Sequence, residues 1–125
     1  MAAALLAISN YFQYIRSNMN EKQALAALGA LAHPLRLQVF RALIVIGPVG
    51  LTAGAIMEGV NVPAATLSFH LKELTTAGLV TQERIGRNFV YRAAYHRMNG
   101  LLAYLTDNCC AGSACAVAPA EACAC

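Results

Sequence analysis

Five thiols crowd one end of this chain: Cys109, Cys110, Cys115, Cys123 and Cys125 all fall within its last seventeen residues. A disulfide framework spreads its cysteines through a small secreted fold, so a terminal cluster is instead expected to hold reduced thiols. The chemistry open to such thiols is soft-metal binding or redox conversion. A second set of reactive groups lies just upstream. Arg84, Arg87, Arg92 and Arg97 occur within fourteen residues that contain no acid, in a chain of formal charge +3. A local basic stripe of this kind suits a polyanion, or else solubilises the edge of a hairpin.

The elements that must position these groups fit one compact domain, since 125 residues suffice for a single core. The chain is 58% hydrophobic and only 12% charged, and the apolar surplus predicts a large self-association surface. No run of about 18 apolar residues occurs, which argues against a membrane span. The opening MAAALLAISNYFQYIRSN lacks the basic start of a secretory signal, and the expected compartment is the cytoplasm.

Leu5, Ile8, Phe12, Ile15 and Met19 alternate in steps of three and four, predicting a helix over roughly residues 3 to 19. Asn20 with Glu21 and Gln23 resembles an N-cap and capping box opening a second helix that carries Leu25, Leu28 and Leu31 inward. Pro34 suits the first turn of another helix, with Leu35, Val39, Phe40 and Leu43 buried and Arg36 and Arg41 pointing away. Gly47, Pro48 and Gly50 end it in a turn. Thr52 caps a short helix ending at Gly59, and Asn61-Val62-Pro63 leads into one that runs to about Ala77 and stops at Gly78. In this last helix Leu67, Leu71 and Leu74 share one face, leaving Ala65, Ser68, Phe69, Lys72 and Thr76 largely on the other. The runs LVTQER and FVYRAA, joined through Gly86 and Asn88, read as a hairpin. Met98, Leu101, Leu102 and Leu105 mark a final helix from about Tyr95 to Asn108, and the first and last helices are the natural dimer elements.

This order, with HPLRLQVFRAL early, LSFHLKELTTAGLV at the second motif helix, and Gly86-Arg87 followed by Tyr91-Arg92 in the hairpin, resembles the ArsR/SmtB family of winged-helix metal-sensing repressors over about residues 20 to 108. The resemblance implies a mainly α (α+β) winged helix-turn-helix of about five helices with a two-stranded wing, acting as a homodimer on a palindromic operator in double-stranded DNA. A helix fits the major groove, where base edges carry a distinguishable code, and twofold symmetry matches two half-sites. By position, Thr66, Ser68 and Lys72 are expected near bases or phosphates, and Arg87 and Asn88 near phosphate or the minor groove. Phe69 offers a face to a thymine methyl or packs on the preceding motif helix. His70 is carried as a further DNA-facing candidate, although its place on the flank of the leucine face favours a partly buried, hydrogen-bonding role.

Departures from the family pattern direct the search for the sensor. The cysteine pair found at the start of the first motif helix in some arsenic-responsive members is missing, since the region reads Leu51-Thr52-Ala53-Gly54-Ala55. A zinc site on the last helix has only His96 and Asp107 to draw on. The sequence Asn108-Cys109-Cys110-Ala111-Gly112-Ser113-Ala114-Cys115 instead resembles arsenite-responsive members in which an adjacent pair and a following cysteine hold trivalent arsenic. Cys109, Cys110 and Cys115 are thus the expected ligands, with Cys123 and Cys125 as secondary candidates, and trivalent arsenic or antimony is the expected inducer. Adjacent cysteines on a helix point about 100° apart, so convergence with Cys115 requires the helix to end there, and Gly112 supplies the bend.

The expected organisation is a winged-helix DNA-binding and dimerisation domain over 1–108 and a cysteine-rich sensory tail over 109–125. Zinc or cadmium on four thiolates, or a thiol-redox switch, are the alternative signals. A metalloid-sequestering protein without DNA binding is the alternative of another class. No phosphate loop or cysteine–arginine constellation suggests an enzyme.

Overall fold

The computed structural model describes residues 19–107. The expected helix over 3–19, apart from its last residue Met19, and the five cysteines lie outside the described residues. Within them the chain forms five helices and a small sheet: α1 (Glu21–Leu31), α2 (Pro34–Ile46), β1 (Leu51–Thr52), α3 (Ala53–Val60), α4 (Ala64–Thr76), β2 (Val80–Ile85), β3 (Asn88–Ala93) and α5 (Tyr95–Thr106). This is the winged helix-turn-helix expected from the sequence, with one addition. The wing hairpin is joined by β1 into a three-stranded antiparallel sheet of order β1-β3-β2.

Local chemistry explains most of the boundaries. Asn20 accepts from the Gln23 amide at 2.7 Å while the Gln23 side chain accepts from the Asn20 amide at 3.2 Å, so the capping box forms as expected. Pro34 occupies the first turn of α2, where its missing N–H costs no hydrogen bond, and the His33 imidazole accepts from the Leu35 amide at 3.2 Å. Thr52 caps α3 through Ala55, and Asn61 ends it in the left-handed conformation. At the end of α4 the Leu79 amide reaches the Leu74 carbonyl and the Gly78 amide that of Thr75. These bonds form a Schellman motif around Gly78, whose φ is +81°.

The core gathers Val39 and Leu43 of α2, Leu67, Leu71 and Leu74 of α4, and Leu79 and Val80 at the start of the wing. One expectation about α1 is corrected. Its buried residues are Ala24, Ala27 and Ala30, whereas Leu25 and Leu28 are 61% and 41% exposed and Leu31 is half-buried. Leucine and alanine stripes share the same helical period, so spacing cannot choose between them. Small side chains let α1 approach α2 and α4 closely, and the leucines turn outward. On α5 the division is similar: Leu101 is buried while Leu102 and Leu105 are exposed.

Candidate nucleic-acid interface

The helix-turn-helix is formed by α3 and α4 across Asn61, Val62 and Pro63. Because Leu67, Leu71 and Leu74 point into the core, α4 is locked in rotation, and its opposite side must face solvent. That exposed side carries Ala65, Thr66, Ser68, Phe69, Lys72 and Thr76, a face of small polar groups, one cation and one aromatic ring. Phe69 is 55% exposed. It does not pack away into α3.

His70 is placed differently from the other DNA-facing candidates. It is 8% exposed and is the one buried polar side chain among the described residues. Its Nδ1 accepts a hydrogen bond from Arg36 Nε at 3.0 Å, and its ring lies 4.4 Å from that of His33. It therefore does not join the exposed face of α4, which accords with the buried role its flanking position favoured. Neutral His70 accepting at Nδ1 must carry its proton on Nε2. Burial holds its pKa below the ordinary value of 6.5, the neighbouring His33 and Arg36 push the same way, and Glu73 opposes them.

Arg36, expected to point away from the core, turns across to α4. Besides bonding His70, its guanidinium carbon sits 5.7 Å from the centre of the Phe69 ring. Phe69 meets His70 edge-on, with ring centres 5.3 Å apart at 68°. Four side chains from the start of α2 and the middle of α4 thus form one knot that fixes the exposed aromatic. The sequence holds both partners in the two motifs HPLRLQVFRAL and LSFHLKELTTAGLV, but nothing local says that they meet.

The wing stands beside this face. β2 and β3 pair from Val80↔Ala93 to Ile85↔Asn88, leaving a two-residue turn of Gly86 and Arg87, and both Arg87 and Asn88 are exposed at or beside the tip. Arg92 is anchored: it forms an ion pair with Glu83 and donates to the Pro48 carbonyl at 2.8 Å. The four-arginine stripe therefore splits, with one member holding the sheet to the turn after α2. Between α4 and the sheet runs a groove of about 470 Å³ where Ser68, Phe69 and Lys72 face Gln82 and Phe89. Gln82 and Phe89 were not singled out from the sequence. The alternation of β2 and β3 was the signal available, since every second residue of a strand returns to the same face.

Among the described residues no group of three or more histidines, cysteines or acids is placed to hold a metal. No single helix among them is long and apolar enough to cross a membrane.

Comparison with known proteins agrees with this geometry. A family model described as a helix-turn-helix domain matches residues 31–83. The transcriptional repressor SmtB of Mycobacterium tuberculosis is 44% identical over 43 residues, which cover 34% of this chain and 32% of the repressor. The match thus spans about a third of that relative's length. The transcriptional regulator YgaV of Escherichia coli is 29% identical over 89 residues, covering 71% of this chain and 88% of YgaV. Among solved structures, the homodimeric winged helix-turn-helix DNA-binding domain of Mb0332 from Mycobacterium bovis, a possible ArsR-family regulator, superposes with a TM-score of 0.56 at 27% identity, over 74% of this chain and 85% of that one.

The fold and its exposed helix face define a winged helix-turn-helix protein. The relatives it resembles are transcriptional regulators, among them a repressor named SmtB and a possible ArsR-family member.

Proposed function

We propose that this chain is a homodimeric transcriptional repressor that binds operator DNA in its ligand-free form and leaves it when a trivalent metalloid of the arsenite, antimonite or methylarsenite class is captured by Cys109, Cys110 and Cys115. The observation that carries the DNA-binding part is the exposed face of α4. A helix locked by three buried leucines presents Thr66, Ser68, Phe69 and Lys72 beside a wing tipped by Arg87 and Asn88. In the complex, Ser68, Thr66 and Lys72 take base edges or phosphates, Phe69 lies against a thymine methyl, and the wing tip takes backbone or minor groove.

Dimerisation is supported by the apolar side chains left outside the core. Leu25 and Leu28 of α1 and Leu102 and Leu105 of α5 are exposed in the single chain, and the Mycobacterium bovis domain is described as homodimeric. Residues 1–108 then form the DNA-binding and dimerisation domain and residues 109–125 the sensory tail. Support for the inducer comes from the thiol sequence itself. Trivalent arsenic and antimony take three thiolates in a pyramid, and an adjacent pair with a third cysteine five residues on supplies three. Metalloid capture shifts the dimer away from its DNA-competent form by the difference in its affinity for the two forms.

The test is binding of the reduced protein to its own upstream DNA, titrated with arsenite, antimonite, methylarsenite and zinc, beside Cys109→Ser, Cys110→Ser and Cys115→Ser. Release of the wild type by a metalloid, with the variants bound but unresponsive, supports the proposal. Release by zinc alone reassigns the site. Metalloid uptake without any DNA binding makes the chain a sequestering protein.

A further inference from the structure

A second groove, of about 720 Å³, lies where the end of α4, the outer strand of the wing and the start of α5 converge. Its polar lining is Thr75, Thr81, Gln82, Arg84, His96 and Arg97, and no acidic side chain lines it. Arg97 lies against Gly78: a β-carbon there would come within 3.2 Å of its Nε and 3.3 Å of its Cζ. The absent side chain leaves space that the guanidinium fills. Arg97 makes no hydrogen bond or ion pair to a side chain among the described residues, and Arg84 spends only its Nε, on the Gly86 carbonyl at 3.3 Å. The groove therefore combines fixed positive charge with unused donors.

We propose that this groove is a phosphate-binding track that carries the DNA backbone past the flank of α4, with Arg84 and Arg97 as its phosphate ligands and His96 at its edge. The inference rests on the DNA-binding reading above and extends it to residues outside the exposed face of α4 and the wing tip. Two features favour an extended polyanion over a small anion. The cationic groups come from two separate elements, β2 and α5, along a groove of about 720 Å³, far more space than one small anion fills. The groove also shares Thr75, Gln82 and Phe89 with the groove beside Ser68 and Lys72, making one continuous surface from the base-facing residues to Arg97. Arg92, whose guanidinium is held by Glu83 and Pro48, takes no part.

Neutralising a phosphate releases condensed counterions, so each contact contributes about 0.9 to the slope of log affinity against log salt. The experiment measures that slope for the full-length reduced protein on its upstream DNA, with Arg84→Gln, Arg97→Gln, the double variant, and Arg41→Gln on the exposed side of α2 as a control of equal charge. Each groove variant is expected to lower the slope by about 0.9 and the pair by roughly twice that. The preference for operator over unrelated DNA should be unchanged, because phosphate contacts position without reading sequence. Slopes equal to wild type, or an equal drop in Arg41→Gln, overturn the proposal. If Arg97→Gln is poorly folded, Arg97→Lys, which keeps the charge, must restore the slope, and exposed Arg84 supplies the independent reading.

Failure of the repressor reading looks different. A wild type that binds DNA without sequence preference, yet loses slope in the groove variants, keeps the track and discards the repressor. A wild type that binds no DNA overturns both. Saturable binding of inorganic phosphate that Arg97→Gln abolishes, with DNA slopes unchanged, makes the groove a seat for a free anion and refutes the proposal.

Discussion

Replacing Arg36 by Met keeps the length of the side chain and removes its donors and charge. In the folded protein this leaves His70 Nδ1, 8% exposed as a residue, without the Nε–H that reaches it at 3.0 Å. A hydrogen bond involving a charged group contributes about 1.5–3 kcal/mol, and a partly exposed cation–π contact such as that with Phe69 about 0.5–1 kcal/mol. Both act through one guanidinium and do not simply add, so the expected loss is about 2 kcal/mol. Urea unfolding at fixed protein concentration measures it. In a His70→Leu background, with no acceptor left, Arg36→Met should cost much less.

The pH dependence of that loss is the sharper test. Native His70 is held below its unfolded value of 6.5, first by burial and then by His33 and Arg36, against Glu73. The unfolded chain thus binds the proton more readily, and this group contributes stability that is present above pH 6.5 and lost as pH falls toward the native value. Removing Arg36 raises the native value, so the variant loses less stability on acidification than wild type does. Its deficit should be largest near pH 8 and shrink below about pH 6. A deficit constant across that range, or a cost at pH 8 unaffected by His70→Leu, would refute the assignment of His70 as a neutral acceptor.

Four further outcomes follow from the geometry. Gly50 has a φ of +73°, and a β-carbon there would lie 2.6 Å from the Tyr91 carbonyl oxygen and 2.9 Å from Val90 Cγ1. Gly50→Ala should therefore cost at least about 1–3 kcal/mol of backbone strain and separate β1 from β3, read as a lower melting temperature with increased amide exchange in the sheet. Leu28→Glu places a charge on the exposed leucine face of α1 and should shift the protein to monomer in sedimentation while the isolated fold survives. Lys72→Gln should lower DNA affinity, whereas Phe69→Ala should abolish the preference for thymine over deoxyuracil at one operator position, measured on DNA substituted one thymine at a time.

Much of the fold was legible because its boundaries are set by local chemistry. Asn20, Pro34, Thr52 and Gly78 each end or begin an element for reasons that involve only a few neighbouring residues, and the face of α4 follows from three leucines at helical spacing. What escaped depends on contacts distant in the sequence. β1 has two residues, too few for any periodic signal, and exists only because β3 offers it partners at Tyr91 and Val90. Arg36 reads as an exposed helix cation until α4 is docked beside it, 34 residues away. The choice of Ala24, Ala27 and Ala30 over Leu25 and Leu28 for the core depends on how closely three other helices approach.

The same distinction bears on how a signal could reach DNA. Phe69 is exposed, yet its ring is held by Arg36 and His70, and the His70 ring in turn lies tilted against that of His33, the residue that caps α2. Displacement of α2 relative to α4 therefore cannot leave the aromatic where it was: the 3.0 Å bond and the ring contacts must lengthen together or move α4 with them. Since α1 packs against both α2 and α4 and also meets α5, a change at the apolar α1–α5 face has a short mechanical route to the base-facing residues. On the metalloid-responsive reading proposed above, the coupling free energy along it is measurable as the difference in metalloid-induced loss of DNA affinity between wild type and Arg36→Met. If the knot transmits the signal, the variant responds more weakly even where its DNA affinity without metalloid is restored by lower salt.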